Sequence, residues 1–287
     1  MKITPLVSNT FASDGGAMFG LVPKGIWQRL CPPDENNLIP QRANSWLIET
    51  DDGKTGLLES GCGDPEWFSA RERDLHRLEE KWLLPDSLQK RGVDFEKIDF
   101  VILSHAHWDH AGGLMDPEGR PVFPNAEIFL RQAEVDCVLG GDPLLYKSYP
   151  EKIQKSFSIL RDRIFPVPDE EPEMLPGLYL LPAPGHSEGQ AAVFFASTEV
   201  SGREGIRTAA VFPGDNCPSQ HHLRMVFQSA YDTFPLKTRA WKQKWLPRCA
   251  EDELLLMFTH DPHMFAAWIA KDEKREYVVH TAYTGEA

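Results

Sequence analysis

The sequence has no run of about 18 consecutive apolar residues, so no membrane-spanning helix is expected. Its first residues, MKITPLVSNTFASDGG, lack the sustained apolar stretch that forms the core of a signal peptide. Dense runs of Lys and Arg are also missing, and the net charge of −13 disfavours nucleic-acid binding by general repulsion. These absences predict a cytoplasmic protein that acts on neither membranes nor nucleic acids.

Cysteine is sparse and unpaired in the sequence. The five cysteines are Cys31, Cys62, Cys137, Cys217 and Cys249. Their number is odd, and no two of them form a Cys-x-x-Cys pair, so reduced thiols are expected instead of a disulfide framework.

Hydrophobic residues make up 41% of the chain and charged residues 25%, which is typical of a packed globular protein. The stretch NSWLIETDDGKTGLLESG predicts two strands around a turn, and the residues from Pro65 to Gly92 have a helical pattern. Further strands and a helix, LKTRAWKQKWLPRCA, follow in the second half, after the loop PVPDEEPEMLPG. Strand-rich halves that each contain helices predict an α/β fold with sheets packed face to face and helices outside.

Potential metal ligands are concentrated at the ends of the predicted strands. The stretch SHAHWDHAGG follows the apolar strand KIDFVIL, and later strands end in APGHSEG, FPGDN and FTHDP. The donor residues are His105, His107, Asp109, His110, His186, Asp215 and His260. Zinc takes about four imidazole or carboxylate ligands, so five imidazoles and two carboxylates suit two ions with one carboxylate shared.

The spacing inside SHAHWDHAGG supports this interpretation. His105 and His107 point the same way if the backbone is extended. Asp109 and His110 then follow a turn and can face a second ion. The glycines at 112–113 permit a tight exit, where a bulkier residue would restrict the backbone angles.

Other histidines and aromatic residues receive a structural interpretation, because isolated residues of these types more often belong to the packed structure than to a site. The histidines so assigned are His76, His263 and His280. The aromatic residues weighed as pocket walls but assigned to the core are Trp27, Phe123 and Phe227.

SHAHWDHAGG resembles the signature of the metallo-β-lactamase superfamily, and PGHSEGQ, FPGDN and FTHDP match its later ligand motifs in order. Within it, CPPDENNLIPQRANSWLIET and AYDTFPLKTRAWKQKWL resemble segments of the YtnP-like quorum-quenching N-acyl-homoserine lactonases, which are related to methyl parathion hydrolase. The resemblance, from about Pro23 onward, implies an αββα sandwich of two packed mixed β-sheets. It also implies a single domain over residues 1–287, with residues 1–22 as a candidate N-terminal extension.

The resemblance also implies a role for each donor. It assigns His105, His107 and His186 to the first ion, Asp109, His110 and His260 to the second, and Asp215 as the bridge. Iron, manganese or cobalt can occupy such sites, but a histidine-rich set favours two Zn²⁺ ions. Some true β-lactamases use a cysteine ligand in the later half. Here Asp215 fills that motif, which disfavours Cys217 as a ligand.

The sequence departs from the family pattern at three places. The family commonly has Asp-Thr-Gly where this chain has ESG beginning at Glu59, whose longer side chain would have to orient a ligand histidine. Well-known homoserine lactonases have a tyrosine where Pro218 stands, and what replaces its hydroxyl is left open. His222 matches a histidine of the YtnP-like branch and is a candidate substrate-binding residue, although the His221–His222 doublet leaves open which one faces the pocket.

The implied function is metal-dependent hydrolysis of a small lactone or ester. A metal-bound hydroxide would open N-acyl-homoserine lactone rings, and Asp109 would pass a proton to the leaving alkoxide. This chemistry requires no serine or cysteine nucleophile. A homodimer is implied by the resemblance alone.

Alternative functions share the same metal centre. A phosphotriesterase, a thioesterase of the glyoxalase II kind and an arylsulfatase-like enzyme remain open. The ending EYVVHTAYTGEA, which has no basic helical domain, counts against the thioesterase. A non-catalytic metal-binding protein is a further alternative, but degenerate relatives usually lose ligands and all seven are present here. The acyl-chain preference, the native metal and the oligomeric state are left open.

Overall fold

A computed structural model describes residues 1–140 and 148–285 of the protein. The strands are β1 (Lys2–Asp14), β2 (Leu38–Glu49), β3 (Thr55–Leu58), β4 (Phe100–Ile102), β5 (Glu127–Arg131), β6 (Ile164–Val167), β7 (Glu173–Leu175), β8 (Leu178–Pro182), β9 (Ala191–Val200), β10 (Arg207–Phe212), β11 (Leu255–Met257), β12 (Ala266–Asp272) and β13 (Glu276–Tyr283). The helices are α1 (Gly15–Phe19), α2 (Lys24–Trp27), α3 (Ala70–His76), α4 (Leu84–Gln89), α5 (Trp108–Ala111), α6 (Gln132–Leu139), α7 (Glu151–Ile159) and α8 (Pro235–Glu251). In these two ranges, no helix combines the length and apolar character that crossing a membrane requires.

The strands form two mixed halves that are joined along one short pairing. The hydrogen-bonded order is β13-β12-β11-β10-β9-β1-β2-β3-β4-β5-β6, and β8 pairs with both β9 and β7. The halves meet where β1 runs parallel to β9, with Lys2 opposite Glu199 and Ile3 opposite Val200. The predicted two sheets are therefore continuous through this contact.

Apolar side chains from both halves meet in one core, which makes the arrangement a sandwich. Trp46 and Phe100 of the first half share this core with Phe195, Phe212 and Met257 of the second. Full burial of an aliphatic or aromatic side chain stabilises the folded state by about 1.5–3 kcal/mol. Packing between the halves is therefore a large contribution to stability.

Helices cover the outer faces of the sandwich. On the first half, Leu88 of α4, Val138 of α6 and Phe157 of α7 belong to one buried cluster with strand residues. On the second half, Trp241 and Leu246 of α8 pack in a separate cluster. The predicted α/β class and its αββα layering are confirmed.

Strand β1, within the candidate extension at residues 1–22, lies in the middle of the strand order and pairs with β2 over most of its length. The sequence analysis did not predict this strand, because polar residues interrupt its apolar alternation. Two of these polar residues, Ser8 and Asn9, are buried and hydrogen-bonded. The Ser8 and Ser45 hydroxyls lie 2.6 Å apart, and Asn9 donates to the Gly63 carbonyl and accepts from the Cys62 amide.

The helical pattern from Pro65 to Gly92 belongs to several short elements and not to one continuous helix. The segment contains a 3-10 turn at Pro65–Trp67 and the separate helices α3 and α4. Helix α3 ends at His76 and is capped by Arg77, which has a left-handed backbone with φ of 45°. Proline near the start of α4 favours a new helix over continuation of an old one.

Gly112 is required for space and not for its backbone angle, which corrects the sequence interpretation. Its φ of −62° is open to any residue. A Cβ atom there would lie 2.1 Å from the Cys62 carbonyl oxygen. We expect Gly112→Ala to lower the free energy of unfolding by about 1–3 kcal/mol, the usual cost of overpacking. Urea unfolding against Gly119→Ala, which has open space around its Cβ but a positive φ of 78°, measures the difference. Equal losses in the two variants would contradict the steric explanation.

Candidate active site

The predicted donors converge because the strands that precede them end at the same region of the sandwich. His105 and His107 follow β4, and α5, which begins next to His107, carries Asp109 and His110. The remaining three donors follow β8, β10 and β11. They are His186, Asp215 and His260. The structure thus brings all seven predicted donors together, in overlapping groups whose ligand atoms lie within 4.8 Å of one another.

One group consists of His105, His107 and His186. The Nδ1 atom of His107 lies 3.0 Å from Nε2 of His186. His105 is fully buried, and its Nε2 atom has no hydrogen-bond partner. Burial, reinforced by His110 and His107, lowers the pKa of His105 well below its ordinary value. A neutral imidazole with a free lone pair is the form that binds a metal ion.

A second group consists of Asp109, His110 and His260. The two imidazoles face each other through their Nε2 atoms, which are 3.2 Å apart. The Oδ2 atom of Asp109 lies 3.5 Å from Nε2 of His260. The Asp109 side chain is 16% exposed, so this carboxylate reaches the cavity surface.

Asp215 lies between the two groups. Its Oδ2 atom is 3.5 Å from Nε2 of His186 and 3.3 Å from Nε2 of His260. Thr259 donates a hydrogen bond of 2.7 Å to the other oxygen, Oδ1. Burial opposes ionisation of Asp215, but His260, His110 and His186 together hold its pKa well below the ordinary value. Asp215 is therefore the donor whose carboxylate contacts histidines of both ligand groups.

The donor set fits two divalent cations. Zn–N and Zn–O bonds of about 2.0–2.1 Å in a tetrahedron place neighbouring donor atoms about 3.3 Å apart. The donor separations here include 3.0 Å for His107–His186 and 3.5 Å for Asp215–His186. Several buried imidazoles face each other through their ring nitrogens, and Nε2 of His105 has no hydrogen-bond partner. Cations bound between these nitrogens would provide the missing partners.

Carboxylates behind the histidines fix the ring orientations. Glu59 Oε2 lies 3.1 Å from Nδ1 of His110, and its Oε1 accepts from the Ser104 amide. The longer side chain of Glu59 therefore does contact a ligand histidine, His110. Asp232 Oδ1 lies 3.0 Å from Nδ1 of His186, a contact that the sequence analysis missed. Such partners fix the tautomer and strengthen a ligand histidine.

The donors open onto a cavity of about 700 Å³, a volume typical of small-molecule sites. Its apolar wall includes Phe11, Trp108 and Leu75. His76 also lines the cavity, with its ring 4.8 Å from that of Trp108. The structural interpretation of His76 was therefore incomplete, whereas His263 and His280 are exposed at the surface.

The remaining candidates lie away from the described cavity wall. Trp27 and Phe227 pack in a cluster around Phe19, and Phe123 is in the core beneath the first half. Cys217 is fully buried, and burial raises the pKa of its thiol to about 11. The thiol belongs to none of the ligand groups.

His222 is not among the residues that line this cavity, and neither is His221, so a role of His222 in substrate binding stays a prediction. Both ring nitrogens of His222 are engaged, Nδ1 with the Ser219 hydroxyl at 2.8 Å and Nε2 with the Met18 carbonyl at 2.9 Å. Its ring stacks on Phe19. His222 therefore holds the segment around α1 against the loop that follows Asp215.

The buried His222 predicts a pH effect on stability. Burial, with a contribution from Lys242, lowers the pKa of His222 to about 3. The unfolded chain, where this histidine has a pKa of about 6.5, binds the proton more readily between these values. His222 therefore stabilises the fold above about pH 6.5, and this stability is lost as the pH falls below it. We expect His222→Gln to lose less unfolding free energy than the wild type between pH 7.5 and 5 in urea titrations. An identical pH slope would contradict this.

Comparison with known proteins adds to this geometry. A model of the metallo-beta-lactamase superfamily matches residues 38–127. An N-acyl homoserine lactonase of Bacillus cereus is 29% identical over 173 residues, which cover 58% of this chain and 62% of the relative. The match thus spans less than two thirds of that curated relative.

Solved structures match along nearly the whole chain. A protein described as a probable metal-dependent hydrolase from Staphylococcus aureus superimposes with a TM-score of 0.86 at 25% identity, covering 100% of this chain and 97% of that one. The dizinc quorum-quenching lactonase AidC superimposes with a TM-score of 0.76 at 21% identity, covering 97% and 94%. Because the identity to AidC is only 21%, this superposition is evidence for the fold alone. The match of the family model to residues 38–127 and the superposition with these structures show that the chain has the metallo-β-lactamase fold.

Proposed function

We propose that the protein is a hydrolase that holds two divalent metal ions, most suitably Zn²⁺, and opens the rings of N-acyl-homoserine lactones. The observation that carries the proposal is the convergence of seven histidine and aspartate donors beside a cavity of about 700 Å³. The similarity to an N-acyl homoserine lactonase of Bacillus cereus supports the substrate class. Zinc as the native metal, a homodimer and a cytoplasmic location stay predictions.

The two donor aspartates, Asp109 and Asp215, have different roles in this proposal. Two bound divalent ions would supply Lewis acidity and lower the pKa of water. Asp215 is positioned to hold both ligand groups at a fixed separation through its contacts with His186 and His260. Asp109 is the more exposed of the two donor carboxylates. Its Oδ1 atom, 3.9 Å from Nε2 of His110, is the oxygen that takes up a proton and returns it to the leaving alkoxide.

The cavity wall suits a substrate with an uncharged polar head and an apolar tail. The ring of Phe11 packs edge-on against Trp108 at 5.6 Å and against His260 at the same distance. This pair therefore extends an aromatic surface directly from a metal ligand. Aromatic rings bury 150–250 Å² each, and that area favours an acyl chain over a polar substituent.

A substrate panel tests the proposal. The metal-loaded protein is assayed with acyl-homoserine lactones of several chain lengths, phosphotriesters, thioesters and aryl sulfates at equal concentration. We expect the largest kcat/KM for a lactone with an acyl tail. Activity confined to thioesters, triesters or sulfates would replace the lactonase assignment by that class. Bound metal with no turnover of any substrate would favour a non-catalytic metal-binding protein.

A further inference from the structure

Glu134 is a buried carboxylate outside the donor set. It lies on α6 and has no solvent exposure. A glutamate is almost never fully buried unless its oxygens are paired. Its surroundings therefore indicate which parts of the structure it holds.

Three hydrogen bonds converge on this carboxylate from separate segments. The Oε1 atom accepts from the Ala106 amide at 2.9 Å and from the Tyr149 hydroxyl at 2.7 Å. The Oε2 atom accepts from the Ser187 hydroxyl at 2.7 Å. A Cβ on Gly189 would lie only 2.1 Å from the Glu134 amide nitrogen, so the loop after Ser187 packs directly on α6.

Each of these segments supports a donor of the same ligand group. Ala106 separates His105 from His107, and Ser187 follows His186. The Tyr149 ring packs at 4.9 Å against that of His107. None of the three bonds is made to Asp109, His110 or His260.

We propose that Glu134 is a positioning residue for one metal site, the group formed by His105, His107 and His186. A single carboxylate ties the two loops that carry these histidines to α6 and to Tyr149. Glu59, another buried glutamate, contacts His110 directly and also accepts from the Ser104 amide next to His105.

This inference rests on the proposed metal centre but not on the substrate. The test uses the full-length, metal-stripped protein titrated with Co²⁺, whose visible absorption reports the ligands of each bound ion. His186→Ala and His260→Ala serve as reference variants, because each lacks one donor of a different ligand group. Tyr283→Phe, which removes a buried hydrogen bond to the Ser201 carbonyl, controls for ordinary structural damage.

In Glu134→Gln we expect one of two Co²⁺ ions to bind about 10–100-fold more weakly, the usual effect of substituting an outer partner of a ligand. The spectrum of the tighter ion should match that of His186→Ala. The isosteric amide keeps the side-chain volume, so a merely space-filling role would leave both affinities at wild-type values. Tyr283→Phe should bind both ions as the wild type does.

Ser187→Ala provides a second variant should Glu134→Gln fold poorly. It removes the hydrogen bond from the Ser187 hydroxyl to Glu134 and is expected to weaken binding of the same Co²⁺ ion by a smaller factor. Unchanged affinities in both variants, or equal weakening of both ions, would overturn the assignment. Two-ion binding with this asymmetry, but without turnover of any substrate, would support the role of Glu134 while contradicting the proposed hydrolase.

Discussion

Replacing Asp109 by Asn is expected to lower kcat for lactone hydrolysis by about 10²–10⁴-fold, the range associated with a lost general acid or base. The amide keeps the shape of the side chain but cannot take up and release a proton. The carboxylate lies 3.5 Å from Nε2 of His260 and reaches the cavity surface. KM should change much less, because the cavity wall is preserved. Steady-state kinetics at constant metal loading measure both constants.

Asp116→Asn is a matched control for this change. Asp116 follows the same motif but is paired with Arg120 near the surface. The same amide substitution there should leave kcat within a few-fold of the wild type. A wild-type rate in Asp109→Asn with both metals bound would contradict the proton-transfer role of Asp109.

The second large effect is expected from Asp215→Ala, which should reduce the metal content to at most one ion per chain. Even substitution of an outer partner of a ligand lowers metal affinity by about 10–100-fold, and the loss of a bridging ligand should exceed this. Without the carboxylate, the imidazoles of His186 and His260 lose the group that lies between them. Hydrolysis should fall to the background rate. Metal analysis and activity of the same sample provide the measurement.

Thr259→Val is a milder change that affects the same carboxylate. It removes the hydrogen bond to Oδ1 of Asp215 while leaving both carboxylate oxygens in place. We expect an intermediate loss of metal affinity. If Asp215→Ala retained two ions at wild-type affinity, Asp215 would not be a bridging ligand.

The sequence alone predicted the layering of the fold and the identity of the converging donors, because both depend on local patterns. Apolar strands followed directly by His and Asp, as in VILSHAHWDH, mark strand ends where a rigid sheet positions side chains. The family resemblance then supplied the grouping of the donors, which single-strand patterns cannot provide.

What the sequence did not predict depends on contacts between distant segments. Glu134 sits in the helical pattern QAEVDCVL, where a glutamate is usually solvated, and it is buried only because the loops of residues 106 and 187 pack on it. Asp232 has the same character, since its contact with His186 spans 46 residues. His222 had a family counterpart, but its direction was set by Ser219 and the distant Met18 carbonyl.

The number of zinc ions bound per chain tests whether the seven donors hold two metal ions. The purified full-length chain is saturated with Zn²⁺, freed of excess metal and analysed for zinc per chain. The variants His186→Ala and His260→Ala, which each lack one of the seven donors, are analysed alongside it. The account predicts two ions in the wild type and about one in each variant, in line with two ligand groups that share a bridge. A folded wild-type chain that holds no zinc, or an identical zinc content in all three proteins, would contradict it.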